Sequence, residues 1–310
     1  MNMDTHRMAP ARARMAPLGP IVAGIALVIG AFLAASYIAG PASKPDPMAD
    51  VIARLEEQIR ADPNAAALRV SVADAYMQDH RVDEAILQYQ AALEIDHNRE
   101  DALYGIGLAY REKGMLNEAG GALQSVVDLN KDNPMAAVNK RLQGAHFYLG
   151  LVLRDQARYD DAINELRTAL GLNRSDADTI FELGKTFALN GNNDDAAAAL
   201  DLAVAFVPDF KEAYVEIQKL AAVTGDQAKA QYAGAMLEVL DGKAGSAVAK
   251  LQPVAEQGKS ARYWWALGYA LEQSNDKAGA VAAYEKSVAI NPGELLAAES
   301  LRQLRGGGQP

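Results

Sequence analysis

The chain has 310 residues, half of them hydrophobic, no cysteine and a formal charge of −10. That is long enough to bury a core, and without cysteine there can be no disulfide, thiolate metal site, thiol nucleophile or lipidated cysteine. Arg7, Arg12, Arg14 and Lys44 against Asp4 give residues 1–45 a net +3 and leave −13 on the rest, which argues against a nucleic-acid partner and against the body lying flat on anionic lipid.

Residues 18–39 read LGPIVAGIALVIGAFLAASYIA without a charge. As a helix, roughly 33 Å of rise would cross a bilayer core of about 30 Å. Pro20 falls in the first turn, where a missing N–H costs little, and Gly40 and Pro41 end the run. Three arginines precede it and only Lys44 follows closely. The positive-inside rule then predicts a cytoplasmic tail at 1–17 and a body beyond Gly40 outside the cytoplasm, periplasmic or extracellular. Two other readings stand beside this one. A signal peptide could be cleaved near Ala34-Ala35-Ser36, although the apolar run exceeds the usual 7–15-residue core of such peptides, or the body could face the cytoplasm. Residues 40–47, GPASKPDP, hold three prolines and read as a stiff spacer of roughly 25 Å.

From residue 48 onward the pattern is helical, broken by short Gly/Asn/Asp turns. Residues 48–62 read as one helix followed by Pro63. From Ala66 a frame of 34 residues begins, with Val72, Ala73 and Tyr76 at places seven, eight and eleven and Ala85, Tyr89 and Ala92 at places twenty, twenty-four and twenty-seven. The frame from Glu100 fills those places with Ile106, Gly107, Tyr110, Ala119, Leu123 and Val126. The frame from Gln143 has Leu149, Gly150, Leu153, Ala162, Leu166 and Ala169, and the frame from Ala177 has Leu183, Gly184, Phe187, Ala196, Leu200 and Ala203. The frame from Ala261 has Leu267, Gly268, Leu271, Ala280, Tyr284 and Ser287, with Trp264 at place four and Pro292 at the end.

This pattern resembles the tetratricopeptide repeat, Trp-x2-Leu-Gly-x2-Tyr, then Ala-x3-Phe, then Pro, over about residues 50–294. Small residues at places eight and twenty let two antiparallel helices approach, and the large residues fill the gap between them. The resemblance implies an all-α solenoid of helical hairpins, a right-handed superhelix, preceded by the one membrane helix; a non-repetitive helical bundle would not produce the recurring spacing.

The array departs from regularity in two places. Residues 134–142 are inserted between the second and third repeats and read as lengthening the next first helix by about two and a half turns. After Pro208 the register slips. Residues 211–224 read as a first helix, and a new frame starts near Ala228, with Ala235, Ala247, Leu251 and Val254 in place. Either 211–227 is half a repeat, or 227–240 pairs back onto 211–224; on both readings the superhelix bends or breaks near Gly225-Asp226. The array thus runs over 48–224, with further frames and a capping helix (294–304) over 225–305 and a frayed tail at 306–310.

In the family that the pattern resembles, places two, five, nine and twelve of the first helices line a concave groove. Carried over, the fifth places give Val70, Tyr104, Phe147, Phe181, Val215, Tyr232 and Trp265, and the ninth and twelfth places add Leu108, Leu151, Tyr269 and the cations Arg111, Arg154, Lys185 and Lys219. An aromatic stripe beside a short cationic row suits a protein or peptide partner with apolar anchors and some acidic residues; the competing reading packs some of these rings against neighbouring helices. The fifth places lack lysine and the ninth lack asparagine, so the two-carboxylate clamp of chaperone-tail binders is not expected.

Nothing in the chain reads as catalytic. His6, His80, His97 and His146 share no metal-ligand spacing. Gly105 and Gly107 precede no phosphate-binding element. The acidic pairs Asp160-Asp161 and Asp194-Asp195 begin second helices, where the helix dipole favours them. The expectation is a membrane-tethered scaffold or assembly factor without cofactor or metal, resembling single-span repeat proteins of bacterial envelopes. The alternative is a permanent subunit of a membrane complex.

Overall fold

The computed structural model describes residues 47–306. The predicted tail 1–17, membrane helix 18–39 and nearly all of the spacer lie outside them. Among the described residues, no helix is long and apolar enough to cross a membrane. The chain divides between Arg54 and Leu55 into two units, and the account below concerns the second.

The described residues form fifteen α-helices and one 3₁₀ turn, with no strand among them. The helices are α1 (Pro47–Ala61), α2 (Ala66–Gln78), α3 (Val82–Ile95), α4 (Glu100–Glu112), α5 (Leu116–Leu129), α6 (Lys140–Asp155), α7 (Tyr159–Leu172) and α8 (Ala177–Leu189). They continue as α9 (Asn193–Phe206), α10 (Lys211–Thr224), α11 (Gln227–Leu240), α12 (Ala244–Gln257), α13 (Ala261–Gln273), α14 (Lys277–Ile290) and α15 (Leu295–Gly306). Four first helices start on the residue at which the sequence frame starts: α2, α4, α8 and α13.

The small–large logic of the repeat is visible atom by atom. A Cβ placed on Gly107 would stand 2.8 Å from Leu123 Cγ, on Gly150 2.8 Å from Leu166 Cγ, on Gly184 2.9 Å from Leu200 Cγ, and on Gly268 2.6 Å from the Tyr284 ring. In these four hairpins place eight thus admits no side chain, and where it holds Ala73 or Ala235 instead that methyl is fully buried. The alanines at place twenty (Ala85, Ala119, Ala162, Ala196, Ala247 and Ala280) have no exposed surface, so the second helix packs backbone-close against the first. Each Leu, Ile or Tyr buried between them contributes about 1.5–3 kcal/mol.

The turn inside each hairpin is equally regular. Place fifteen is left-handed in every frame: His80, Gly114, Ala157, Gly191, Gly242 and Asn275 all have φ between 57 and 80°. Glycine adopts that conformation without strain, whereas Ala157 and His80 carry a Cβ against it.

Two expectations are corrected. The insert does not lengthen the third repeat by two and a half turns. Residues 136–138 form a 3₁₀ turn, and α6 begins at Lys140, three residues ahead of the frame. Asn139 sets that start, because its Oδ1 accepts from the N–H of Arg141 (2.9 Å) and Leu142 (3.2 Å), a side-chain cap that satisfies donors left over at a helix start. Its Nδ2 donates to Glu100 and Asn130, and buried Asn130 also donates to Glu100, so the insert is tied down by a polar network.

Nor is Gly225-Asp226 a break. Counted from Lys211, Gly225 is a place-fifteen residue, with the same left-handed turn (φ 77°), and it joins α10 to α11 in a close hairpin. Gly242 joins α11 to α12 by the same turn. The two pairings left open by the sequence are both realised, with α11 as second helix to α10 and first helix to α12. It also touches α13 as α2 touches α4 and α4 touches α6, first helix to first helix.

Candidate functional site

The fifth-place residues of α4, α6 and α8 lead into a connected run of side chains. Tyr104 on α4 is half-buried, and its hydroxyl lies where a Cβ on Gly144 would be, 2.5 Å away. Glycine at place two of the third repeat therefore makes room for this ring. Burial pushes the Tyr104 hydroxyl up to about 12, with Tyr148 adding to the effect and Arg141 opposing it. Tyr104 meets Tyr148 edge-on at 6.2 Å between ring centres, and Tyr148 meets Phe147 edge-on at 5.1 Å. Such edge-to-face pairs are favourable beyond their buried area. The Arg111 guanidinium sits 5.8 Å from the centre of the Tyr148 ring.

Beyond this cluster the predicted cationic row is an alternating chain of charges. Arg111 approaches Asp155 at 3.9 Å, which is no hydrogen bond. Arg154 donates to Asp155 and to Glu182, and Lys185 donates to the other oxygen of Glu182 at 3.1 Å. Three cations thus meet two carboxylates. The face is less positive than the predicted cations alone implied, and only Arg111 of the three lacks a hydrogen-bonded acid. Lys185 also lies 5.0 Å from the centre of the Phe181 ring, which packs at 4.8 Å on Phe210 just before α10.

The predicted residues therefore fall into two sets. Tyr104, Leu108, Arg111, Phe147, Arg154 and Lys185 are partly exposed along α4, α6 and α8. Leu151 (6 % exposed) and Phe181 (8 %) form the floor beneath them. Tyr232 (1 %) and Trp265 (2 %) are core residues: Tyr232 is enclosed by Tyr214 at 5.9 Å and Tyr263 at 5.2 Å, and Trp265 lies flat against half-buried Tyr269 at 5.6 Å. Lys219 is exposed on α10 and bonds Glu216 one turn back. Sequence reasoning missed Tyr148, Asp155 and Glu182. Tyr148 and Glu182 both occupy place six, which the groove rule omits. The Glu182–Lys185 pair was readable from its i, i+3 spacing alone.

Family models agree with the frames. Models described as TPR repeat or tetratricopeptide repeat match residues 73–114, 101–133, 147–209 and 261–294. The chain belongs to the tetratricopeptide-repeat family. No significant match was found among curated proteins. The structure resembles the C-terminal part of a TPR repeat-containing protein from Cytophaga hutchinsonii, with a TM-score of 0.52 at 16% identity over 82% of this chain and 94% of the other. It is also similar to PilF of Pseudomonas aeruginosa (TM-score 0.49, 15% identity, 77% and 97% covered). A third likeness is to YrrB, a TPR protein with an unusual peptide-binding site (TM-score 0.44, 18% identity, 79% and 96% covered). At these identities the likeness concerns the fold. As a tetratricopeptide-repeat protein, the chain has the architecture of a protein–protein interaction scaffold, in which stacked hairpins present an extended surface. Its described residues contain no cluster of three or more metal-ligating side chains.

Proposed function

We propose that this tetratricopeptide-repeat chain is a membrane-tethered scaffold or assembly factor whose first-helix face over α4, α6 and α8 holds a peptide segment of a partner protein. The observation that carries this reading is the half-exposed ring cluster of Tyr104, Phe147 and Tyr148 beside Arg111, a cation with no hydrogen-bonded carboxylate. Rigid aromatic anchors flanked by one available guanidinium favour an apolar side chain followed by an acidic group. The ion-paired Arg154, Glu182 and Lys185 hold the neighbouring rotamers and reduce the ordering cost of binding. The tether is the charge-free run at 18–39, and the three arginines before it orient the tail to the cytoplasm and the repeats away from it.

A photo-crosslinking residue at position 147, introduced into the full chain in cells, tests the groove. A discrete adduct is expected, lost on Arg111→Ala with Tyr148→Ala. An adduct indifferent to both changes refutes the groove as the partner site. A stoichiometric, detergent-stable adduct partner would instead favour a permanent subunit of a membrane complex. Because the chain has no cysteine, Ser71→Cys and Thr5→Cys report sidedness without background. An impermeant maleimide should label the first and spare the second in spheroplasts.

A further inference from the structure

A second cleft, of about 530 Å³, opens on the other side of the same repeats, between the second helices α3 and α5 and above α4. Its floor is apolar, with Leu93 from α3, Leu103 and Ile106 from α4, and Ala122 from α5. The groove residues Tyr104, Leu108 and Arg111 leave α4 on a different face, since at about 100° per residue the mean direction of positions 103, 106 and 110 differs from that of 104, 108 and 111 by roughly 130°. Glu94 and Glu118 stand exposed at the rim. Neither carboxylate has an ion-pair or hydrogen-bond partner among the described residues, and no lysine or arginine lines the cleft. His97 and Tyr110 are the other titratable groups there; the His97 Nδ1 is occupied by the Leu93 carbonyl at 2.5 Å, and the Tyr110 hydroxyl accepts from Gln90 Nε2 at 3.0 Å.

Gly121 lines the cleft from α5. This glycine lies in the middle of α5 with an ordinary helical φ, and a Cβ on it would meet nothing within 4 Å. Neither packing nor backbone conformation requires it, yet glycine inside a helix costs about 1 kcal/mol relative to alanine. The corresponding cleft one repeat further on, about 460 Å³, also has apolar residues in its floor (Leu149, Val152 and Leu153), but both of its carboxylates have partners, Asp161 in Arg158 and Glu165 in His146. Two unneutralised carboxylates over an apolar floor thus distinguish the α3–α5 cleft from its neighbour.

We infer that this cleft docks a partner segment in which one large aliphatic side chain is flanked by lysine or arginine. The aliphatic group fills the floor, and the flanking cations meet Glu94 and Glu118. The volume is within the range of ligand clefts, about 300–1,000 Å³, and the charge pattern selects against acidic flanks. The site is independent of the first-helix groove, so the chain can hold two segments of opposite charge on opposite sides of one repeat.

The test uses the full chain and three fluorescent nonapeptides, each with a central leucine and with flanks of arginine, serine or glutamate, in an anisotropy titration. The arginine peptide should bind most tightly, and raising the salt should weaken it. Glu94→Gln with Glu118→Gln should weaken it about five- to tenfold. Gly121→Leu, which improves helix propensity while filling the cleft, should abolish binding, and Gly121→Ala confirms by circular dichroism that the helix tolerates a side chain there. Phe147→Ala should leave binding unchanged. Equal binding of the glutamate peptide, unchanged binding in folded Gly121→Leu, or no binding of the arginine peptide at millimolar concentration would each overturn the inference.

Discussion

Two pairs of fifth-place rings, one from each half of the array, have opposite fates. In α4 and α6 the fifth place holds half-exposed Tyr104 and Phe147, whereas in α11 and α13 it holds Tyr232 and Trp265, at 1 % and 2 % exposure. All four rings leave equivalent turns of equivalent helices. The difference lies in what packs next to them. Between α2 and α9 first and second helices alternate, and in α4 and α6 the fifth place is left half-exposed, whereas Val70 of α2 and Phe181 of α8 are buried. From α10 to α12 one helix serves two hairpins, and Tyr214, Tyr232 and Tyr263 close on one another. The same residue type is a half-exposed ring in α4 and α6 and a core filler in α11 and α13, with Phe181 packed on Phe210 between them.

The contrast is broken most directly by Tyr232→Ala, which leaves a cavity in the interior and should cost about 3–5 kcal/mol. Tyr104→Ala, by comparison, should cost only about 1 kcal/mol. Denaturant unfolding with hydrogen exchange of the α11 amides measures both, and equal costs would mean that the two fifth places are equivalently packed. A smaller effect tests whether the hairpin turn is the same on both sides. Gly225→Ala forces a Cβ onto a φ of 77° and should lose about 1–2 kcal/mol, and Ala157→Gly relieves a φ of 58° and should gain up to about 1 kcal/mol. If Gly225→Ala were neutral, α10–α11 would not be a repeat-type hairpin. The smallest effect is a slope. Folded Tyr104 keeps its proton to about pH 12, against an ordinary value near 10. The folded state therefore binds more protons in that window, and stability falls as pH rises from 10 to 12. Tyr104→Phe should flatten that fall in alkaline denaturation, and an unaltered slope would place the ring in water.

Much of the fold was legible because a tetratricopeptide repeat is written in local spacing. Gly150 facing Leu166, or Ala196 with no exposed surface, follows from a frame that can be counted along the chain, and so do the starts of α2, α4, α8 and α13. The site was legible in part. Tyr104, Phe147 and Arg111 stand together as the frame implied, but Tyr148 completes the cluster from place six, and Asp155 and Glu182 neutralise most of the cationic row. The insert was misread because 134–142 carries helical composition, while Pro134 and the Asn139 cap act on a start that only the fold reveals.

The sequence by itself determined the hairpin: its length, its turn and the small–large pairs inside it, all set by residues fewer than 34 positions apart. Tertiary structure alone decided which hairpin faces stayed open. It made α11 a shared helix, put Tyr232 and Trp265 in the core, and left a cleft over Gly121. The physical reason is that spacing within a frame fixes what a side chain faces in its own hairpin. Its exposure depends on how closely the next hairpin approaches, and that is settled by packing across repeats.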